Sequence, residues 1–375
     1  MINFNSYLKT ILFYLFGIFS SITFTLLLIE ICLRLLPVNQ GLRALPVNYE
    51  NPIFKFTPNR TALFSKNWNF DISNKVRINN DGFVNNNEYN EKLDTKLLSI
   101  IGDSYVEALM VPFEKSISGI LDNKTKHYDN RVYSFAASGA GLSQYLIWAK
   151  YAKEKYKSNY FIFVIIANDF SESLQKYESS PGFHRFVLNE NNNWDFKLTE
   201  YKPSWIRKTF RNSNLAMYLI TNLKIHRKFN IPLMLGKSDK RQQYVANFDA
   251  NVSKEFWNDA VSATNIYLNN IKDFTGVKED KILFIVDGVR PELYDREILY
   301  SVRDSFWVKI RNYFIQQARL KGYEVVDMQQ DFVKDYNQSL KRFEFETDSH
   351  WNSYGHRTVA KSVLKSFMWN NFIRK

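Results

Sequence analysis

At 375 residues the chain can hold one large domain or two small ones, and its 45% hydrophobic content excludes wholesale disorder. Its single cysteine, Cys32, excludes an intramolecular disulfide and a cysteine-based metal cage. The net charge of +12 suits an anionic partner, but the densest basic groups, at 207–211, 224–227 and 237–241, carry no nucleic-acid-binding signature. We interpret the charge as a solvated basic face and expect no nucleic-acid partner.

A membrane anchor is predicted near the N-terminus. Residues Thr10–Ile29 include no charged side chain, and a helix of that length spans roughly 30 Å, the thickness of a bilayer core. A buried soluble helix is one alternative. A cleaved signal peptide is another, although Glu30–Arg34 offers no small-x-small cleavage site. We predict a tail at 1–9, an uncleaved transmembrane segment at 10–36, and a stalk and lead-in at 37–90.

From residue 91 to 375, short apolar strands alternate with helical periods. The predicted strands are Leu97–Ile101, Val132–Ala137, Phe161–Ala167, Ile282–Val286 and Tyr323–Met328, and the predicted helices include Leu142–Tyr156, Ser301–Leu320 and Tyr354–Trp369. This alternation predicts a mostly parallel sheet covered on both faces, with ligands at the carboxyl ends of the strands. An insertion at about 170–280 interrupts the pattern. It is interpreted either as a cap or substrate-binding subdomain or as a structural elaboration.

A serine follows the first predicted strand, in Gly102-Asp103-Ser104. Such a serine can be a helix N-cap, and it can also be a nucleophile whose backbone N–H points toward a developing oxyanion. Serine is a weak nucleophile without a neighbouring base. The second interpretation therefore requires a histidine close to Ser104 in space.

The candidate base lies near the C-terminus. The chain has five histidines, which are His127, His184, His226, His350 and His356. Only His350 has a carboxylate, that of Asp348, two residues before it in a loop after the last strand. Asp348 would orient the imidazole through Nδ1 and leave Nε2 to take the Ser104 proton. His356 is expected to be a structural residue of the last helix.

Two further positions follow predicted strands. Gly139 lies in a small-residue loop, where its N–H can approach a substrate oxygen, and a tight turn without a chemical role is the alternative. Asn168 directly follows an apolar strand, a costly place for an amide unless it donates to an oxyanion or caps a turn. The sequence has no His-Glu-x-x-His motif, cysteine pair or acidic cluster with ligand spacing, so no metal or other cofactor is expected.

Taken in order, these segments resemble the four blocks of the SGNH (GDSL-type) hydrolase superfamily, and they span most of the chain after residue 90. The resemblance implies a three-layer α/β/α sandwich with a parallel five-stranded sheet. It also implies a catalytic triad of Ser104, Asp348 and His350. The implied oxyanion hole consists of the N–H groups of Ser104 and Gly139 and the side chain of Asn168.

Two positions depart from the pattern of that superfamily. Ile166 stands where a glycine is usual, two residues before Asn168. The last block is Asp-x-His, one residue tighter than the common spacing, which resembles polysaccharide O-acetyltransferase relatives. A Ser-His dyad helped by a backbone carbonyl is therefore an alternative to a triad that includes Asp348.

The combined prediction is a membrane-anchored serine esterase that acts on O-acyl groups, in particular O-acetyl groups, of a glycan or envelope molecule. An O-acyltransferase that modifies a surface polysaccharide and a non-catalytic glycan-binding relative are the alternatives. Counting Lys9 before the span against Arg34 and Arg43 after it does not favour export of the C-terminal domain. We still place that domain outside the cytoplasm, where a single anchor on a soluble enzyme is most useful.

Overall fold

Strands and helices alternate along residues 4–191, 193–225, 244–246 and 248–374, which are the residues that the computed structural model describes. The strands are β1 (Arg60–Lys66), β2 (Ile72–Ile78), β3 (Leu97–Gly102), β4 (Arg131–Ala136), β5 (Tyr160–Ile165), β6 (His184–Leu188), β7 (Trp194–Leu198), β8 (Tyr244–Val245), β9 (Phe248–Asp249), β10 (Ile282–Val286), β11 (Glu324–Asp327), β12 (Glu344–Phe345) and β13 (Asp348–Trp351). The helices are α1 (Phe4–Arg34), α2 (Ser104–Glu107), α3 (Ile117–Thr125), α4 (Leu142–Tyr156), α5 (Asp169–Glu172), α6 (Trp205–Phe210), α7 (Asn214–Met217), α8 (Lys254–Thr275), α9 (Arg296–Ser301), α10 (Phe306–Leu320), α11 (Met328–Ser339), α12 (Ser353–Val363) and α13 (Phe367–Ile373). Residues 226–243, with His226 and the basic group at 237–241, lie outside the described residues, as does that part of the predicted insertion.

Five parallel strands form the central sheet, in the order β4-β3-β5-β10-β11. Numbered along the chain, this order is 2-1-3-4-5, a doubly wound arrangement whose strand order reverses between β3 and β5. The predicted five-stranded parallel sheet is confirmed. Ligands bind outside the carboxyl ends of strands at such a reversal, and the segments that carry Ser104 and Asn168 both begin there.

Helices cover both faces of this sheet. On one face, Ile100 and Val164 belong to an apolar cluster with buried residues of α3, α11, α12 and α13. On the other, Phe163 and Phe284 pack against Tyr267 of α8. Successive strand residues point to opposite faces, so the continuous apolar runs of the sequence supply both layers, and each large side chain contributes about 1.5–3 kcal/mol on burial. The predicted three-layer α/β/α sandwich is confirmed.

Two predicted helices have different bounds in the structure. The predicted helix Ser301–Leu320 begins only at Phe306, as α10, after a break behind α9, and the Ser305 hydroxyl caps it by accepting the N–H of Val308. The predicted helix Tyr354–Trp369 ends with α12, and the Ser366 hydroxyl caps α13. Both breaks have the same reason: a serine side chain offers the backbone N–H groups an alternative to the helical hydrogen bond, and so begins a new helix.

The described chain divides into two compact units. The first comprises residues 4–41, 62–75 and 204–225, and includes α1, α6 and α7. The second comprises residues 42–61, 76–191, 193–203, 244–246 and 248–374, and includes the five-stranded sheet. Parts of the predicted lead-in at 37–90 belong to each unit, and the domain boundary at residue 91 stays a prediction.

The first unit is built around the end of a long apolar helix. Within α1, Tyr7–Arg34 has a mean hydropathy of 2.2 in its most apolar window and none of that window is buried, so it is long and apolar enough to cross a membrane. A signal sequence has the same properties. Where α1 ends, Leu33, Val38 and Met217 form a buried apolar cluster, against which residues of the segment after α6 pack.

Candidate active site

Ser104 lies at the carboxyl end of β3, as the first residue of the short helix α2. Asp103 caps that helix by accepting the backbone N–H of Tyr105 at 2.9 Å. The helix turns back so tightly over the strand end that a Cβ at Gly102 would lie 2.5 Å from a methyl carbon of Val106. The Gly-Asp-Ser sequence therefore makes a sharp strand-to-helix turn that presents the serine at the edge of the sheet.

The structure brings Ser104, His350 and Asp348 together. The Nε2 atom of His350 lies 2.7 Å from the Ser104 hydroxyl oxygen, and its Nδ1 lies 2.5 Å from a carboxylate oxygen of Asp348. The backbone N–H of His350 donates to the same Asp348 oxygen at 2.9 Å. A hydroxyl, an imidazole and a carboxylate are thus joined in one chain of hydrogen bonds, the arrangement that can activate a serine.

The Asp-x-His spacing is explained by a strand. Asp348 and His350 lie in β13, which pairs with β12, and not in the loop that the sequence predicted. Residues two positions apart on a strand point to the same side, so the tight spacing directs both side chains toward Ser104. The hairpin, which includes Phe345 opposite Asp348, replaces the predicted loop because the segment finds a partner strand of its own.

A buried arginine supports the segment that carries His350. Arg290, which is 1% exposed, follows β10, and its Nη1 donates to the Ser349 carbonyl oxygen at 2.8 Å. Its Nη2 donates to the Tyr105 hydroxyl at 2.7 Å, and that hydroxyl donates to the same Ser349 carbonyl at 3.1 Å. Asp287 accepts from Arg290 at 2.8–3.1 Å and balances its charge in the buried setting.

This network joins the segment that carries Ser104 to the segment that carries His350. Tyr105 is the neighbour of Ser104 in sequence, and its ring centre lies 4.7 Å from that of His350. The indole N–H of Trp351, the residue after His350, donates to Asp287 at 3.0 Å. The ends of β3, β10 and β13 are therefore held by one set of hydrogen bonds, which limits how far the imidazole can move from the serine.

Gly139 lies in the loop between β4 and α4, with a φ of 87° that an L side chain rarely adopts. Each side of this loop is held by a buried charged group. The Glu107 carboxylate accepts the N–H of Ser138 at 3.0 Å and its hydroxyl at 2.5 Å. Arg185, in β6 of the predicted insertion, donates to the Gly139 carbonyl at 3.0 Å. These contacts fix the backbone on both sides of the Gly139 N–H.

Asn168 precedes the short helix α5, after the end of β5, and its side chain makes no capping hydrogen bond to the helix backbone. Its side-chain Nδ2 donates to Glu172 at 2.8 Å and lies 3.4 Å from Asp103. The same Asp103 oxygen lies 3.2 Å from the Ser104 hydroxyl oxygen. The amide is thus next to the serine and is held by carboxylates. Ile166, at the position where the superfamily has glycine, is buried in the apolar core and its N–H donates to Asp169 at 2.7 Å.

Acidic side chains gather behind the Ser104–Asn168 side of the site. Oxygens of Asp103, Asp169 and Glu172 lie within 4.8 Å of one another, a distance at which carboxylates can share a cation. Protein donors occupy these oxygens as well; for example, the Tyr145 hydroxyl donates to Asp169 at 2.7 Å. The sequence-based argument that no acidic cluster has ligand spacing was wrong, because Asp103 and Asp169 come from the ends of different strands.

Burial changes the protonation of these acids. It raises the pKa of Glu172 to about 8, with the nearby Asp103 carboxyl adding to the rise, and it raises the pKa of Glu107 to about 7. Burial also raises the pKa of Asp103, although the hydrogen bond from the Tyr105 N–H and the nearby His350 act to lower it. Burial raises the pKa of Asp169 well above its usual range. Glu172 therefore tends to hold a proton at neutral pH, and Glu107 titrates near neutrality.

Sequence reasoning missed the supporting residues. Glu172 had a detectable signal, because it lies four residues after Asn168 on a short helix and can reach the same side. Asp287 and Arg290 had a weaker signal: they are polar residues one and four positions after the end of the apolar strand β10. Glu107 and Arg185 had none, since their partners Ser138 and Gly139 are distant in sequence. His356 is buried, where its Nδ1 accepts the N–H of Ile117 at 3.2 Å.

No protein-family model matches the chain, and no curated protein matches it. Solved structures are similar to it. A member of the lipolytic protein G-D-S-L family from Veillonella parvula DSM 2008 is 12% identical, with a TM-score of 0.36, over 73% of this chain and 98% of that one. TesA is 10% identical, with a TM-score of 0.37, over 72% of this chain and 99% of that one.

An acetylxylan esterase from Geobacillus stearothermophilus, Axe2, is also similar. It is 12% identical, with a TM-score of 0.37, over 74% of this chain and 96% of that one.

Proposed function

We propose that this chain is an SGNH-type serine esterase. The observation that carries the proposal is the hydrogen-bonded chain from Asp348 through His350 to Ser104, with distances of 2.5 and 2.7 Å. A serine hydroxyl without such a partner is too weak a nucleophile for ester cleavage at neutral pH. Its position at the reversal of strand order, where doubly wound sheets bind ligands, is the second support.

In the proposed reaction the Ser104 oxygen attacks the acyl carbon while His350 Nε2 takes the hydroxyl proton. Asp348 orients the imidazole and stabilises its positive charge. The tetrahedral oxyanion accepts hydrogen bonds from the Ser104 and Gly139 N–H groups and from Asn168. His350 then gives the proton to the leaving alcohol, an acyl-enzyme remains on Ser104, and water activated by His350 releases the carboxylic acid.

The proposed substrate is an O-acetyl ester on a glycan or envelope molecule. The proposal rests on the Asp-x-His spacing, which resembles polysaccharide O-acetyltransferase relatives, and on the aromatic insertion, whose strand β6 lies against the Gly139 loop through Arg185. Aromatic rings there can stack on sugars. No cofactor enters the proposed reaction.

The proposed organisation is a single-pass anchor at 10–36 after a tail at 1–9, a lead-in at 37–90 and a catalytic domain at 91–375 with an insertion at about 170–280. We place the catalytic domain on the extracytoplasmic side. Protease treatment of intact cells tests this orientation: a cleaved C-terminal domain agrees with it, and a domain that is cut only after lysis contradicts it.

An O-acyltransferase is the second candidate, because the same acyl-enzyme can pass its acyl group to a sugar hydroxyl. The Asp-x-His spacing favours it. The deciding assay gives the purified chain an acetylated glycan in water, and then the same donor with an unacetylated glycan. Acetate release without transfer supports the esterase, and acetylated acceptor as the main product supports the transferase.

The same assay tests the enzyme against a non-catalytic relative. Ser104→Ala and His350→Ala are each expected to remove nearly all turnover, a loss of order 10⁴–10⁶ in kcat. The exposed His127→Ala is the matched control and should keep the parent rate. Turnover within threefold of the parent in both site variants would refute the proposed chemistry.

A further inference from the structure

The last turn of α1 marks the level at which the chain would leave the bilayer. This inference rests on the proposed anchor, whose uncharged run Thr10–Ile29 is as long as a hydrocarbon core is thick. Glu30 is the first charged residue after that run. If α1 spans a bilayer, Glu30 therefore lies at the boundary between the acyl chains and the headgroups.

Hydrogen bonds hold a second segment at this level. The Glu30 carboxylate accepts the Ser213 hydroxyl at 2.9 Å and the N–H groups of Asn214 and Leu215 at 3.1 and 2.8 Å. The Asn214 side chain donates to the Leu33 carbonyl at 3.1 Å. Residues 213–215 are thus attached to the end of the span.

The short helix α6 must lie close to the same level. It ends at Phe210, three residues before Ser213, and three extended residues reach about 11 Å at most. That reach is comparable with the depth of about 5–10 Å at which interfacial helices lie in a membrane surface. The Phe210 end of α6 therefore lies within about 11 Å of Ser213, and the Trp205 end lies within about 19 Å of it.

The surface of α6 has the composition of an interfacial helix. Trp205, Ile206 and Phe210 are 74%, 47% and 51% exposed, and no residue of α6 is buried among the described residues. At 100° per residue these three side chains fall within an arc of about 140°, which Thr209 shares. The basic residues 207, 208 and 211 fall on the remaining arc. A six-residue helix of this kind is not stable in water by itself.

We propose that this α6 face, formed by Trp205, Ile206, Thr209 and Phe210, lies in the headgroup region of the same bilayer that α1 spans. Lipid is its partner. The aromatic and aliphatic side chains reach the acyl boundary, and the basic side chains meet anionic headgroups. The first unit is thereby held against the membrane by two attachments, the span and the α6 face.

Spin labels on the full chain in lipid vesicles test the proposal. In a Cys32→Ser background, one label is placed in the α6 face by Thr209→Cys. This substitution leaves the apolar side chains of the face unchanged. A second is placed in the span by Phe19→Cys, and a third in exposed α10 by Leu320→Cys as a water-exposed control. The relative collision rates with oxygen, which concentrates in lipid, and with a water-soluble nickel chelate report the depth of each label.

The expected oxygen-to-nickel ratio at 209 is several-fold higher than at 320 and lower than at 19. A ratio at 209 equal to that at 320 would place the face in water and overturn the proposal. Low collision with both reagents would show that protein covers the face, and would overturn it as well. A water-like ratio at 19 would show that the anchor itself fails. Ester turnover does not enter this measurement, so failure of the esterase proposal stays distinguishable.

Vesicles of phosphatidylcholine alone, compared with vesicles that also contain phosphatidylglycerol, test the charge of the lipid partner. The label at 209 is expected to show a higher ratio in the anionic vesicles. The triple variant R207Q/K208Q/R211Q should remove that difference. If the label at 209, without the triple substitution, shows equal oxygen-to-nickel ratios in the two kinds of vesicle, the assignment of anionic lipid is overturned.

Discussion

The two sides of the candidate site differ in how their charges are balanced. On the side of His350, the proposed base side, Arg290 is paired with Asp287 and hydrogen-bonded to the Ser349 carbonyl, so this segment is held by opposite charges. On the side of Gly139 and Asn168, the proposed oxyanion side, Glu107, Glu172 and neighbouring acids are buried together and their pKa values rise. The base side therefore depends on geometry, and the oxyanion side depends on protonation as well.

This comparison gives different expectations for substitutions on the two sides. A change on the base side should alter the rate at every pH, because it moves the imidazole relative to Ser104. A change among the buried acids should act in a pH-dependent manner, because it removes a group that titrates near neutrality.

The largest effect is expected for Asp348→Asn. Asparagine keeps the shape but cannot stabilise the imidazolium and favours the wrong tautomer, so kcat should fall by about 10⁴ if Asp348 belongs to a triad. Steady-state turnover of a soluble acetate ester measures the change, with the exposed Asp94→Asn as control. A loss below about tenfold would contradict the triad and favour the Ser-His dyad.

Asn168→Ala should lower kcat by about 10²–10³, because one donor to the oxyanion is lost while ground-state binding of the ester changes little. The KM is expected to stay within a few-fold of the parent value. Asn189→Ala, in the loop between β6 and β7, is the matched control. A rise in KM with an unchanged kcat would mean that Asn168 binds substrate without acting on the oxyanion.

Arg290→Lys should lower kcat by about 10–10², because lysine keeps the charge but cannot reach Asp287, Tyr105 and Ser349 at once. The matched control is Arg131→Lys, at the start of β4, whose guanidinium donates to the Thr95 hydroxyl and to the Asn90 and Leu93 carbonyls. Both variants should lose stability. At temperatures well below its unfolding temperature, however, the control should keep the kcat of the parent. An equal loss of kcat in Arg290→Lys and in the control would mean that Arg290 stabilises the fold without positioning His350.

The smallest effect on turnover is expected for Glu172→Gln, whose main consequence is a change in stability. With a folded pKa of about 8 and an ordinary value of 4.5, Glu172 takes up a proton on folding between these pH values, so the parent loses stability as pH rises through that range. Glutamine does not titrate. The unfolding free energy of the variant minus that of the parent should therefore increase by a few kcal/mol from about pH 5 to about pH 9, at about 1.4 kcal/mol per pKa unit.

Urea unfolding of the detergent-solubilised chain at both pH values measures this difference. Glu154→Gln, at a side chain that is 65% exposed, is the control and should show no such trend. A Glu172→Gln difference that is the same at both pH values would contradict the raised pKa.

The sheet and the segments that meet at its edge could be predicted from the sequence. Buried parallel strands are continuous apolar runs, and the residues directly after them, such as Ser104 and Asn168, necessarily share one edge. The hairpin that carries Asp348 and His350 could not be predicted, because its partner strand β12 is two residues long and has no periodic signal.

The residues that support the site could not be predicted from the sequence either. Arg290 acts through the Ser349 carbonyl and Arg185 through that of Gly139, and a contact with a distant backbone carbonyl leaves no mark on side-chain patterns. The clustering of Asp103 with Asp169 depends on the spacing of two neighbouring strands. Sequence reasoning thus reached the residues at strand ends, and it failed where two distant segments hold each other.

The claim that Ser104 is the activated nucleophile is tested most directly by covalent labelling with a fluorophosphonate and mapping of the modified peptide. We predict a single phosphonylated residue, Ser104, with labelling that is lost in Ser104→Ala and slowed by orders of magnitude in His350→Ala. Labelling of a different serine, or equal labelling of the parent and Ser104→Ala, would contradict it.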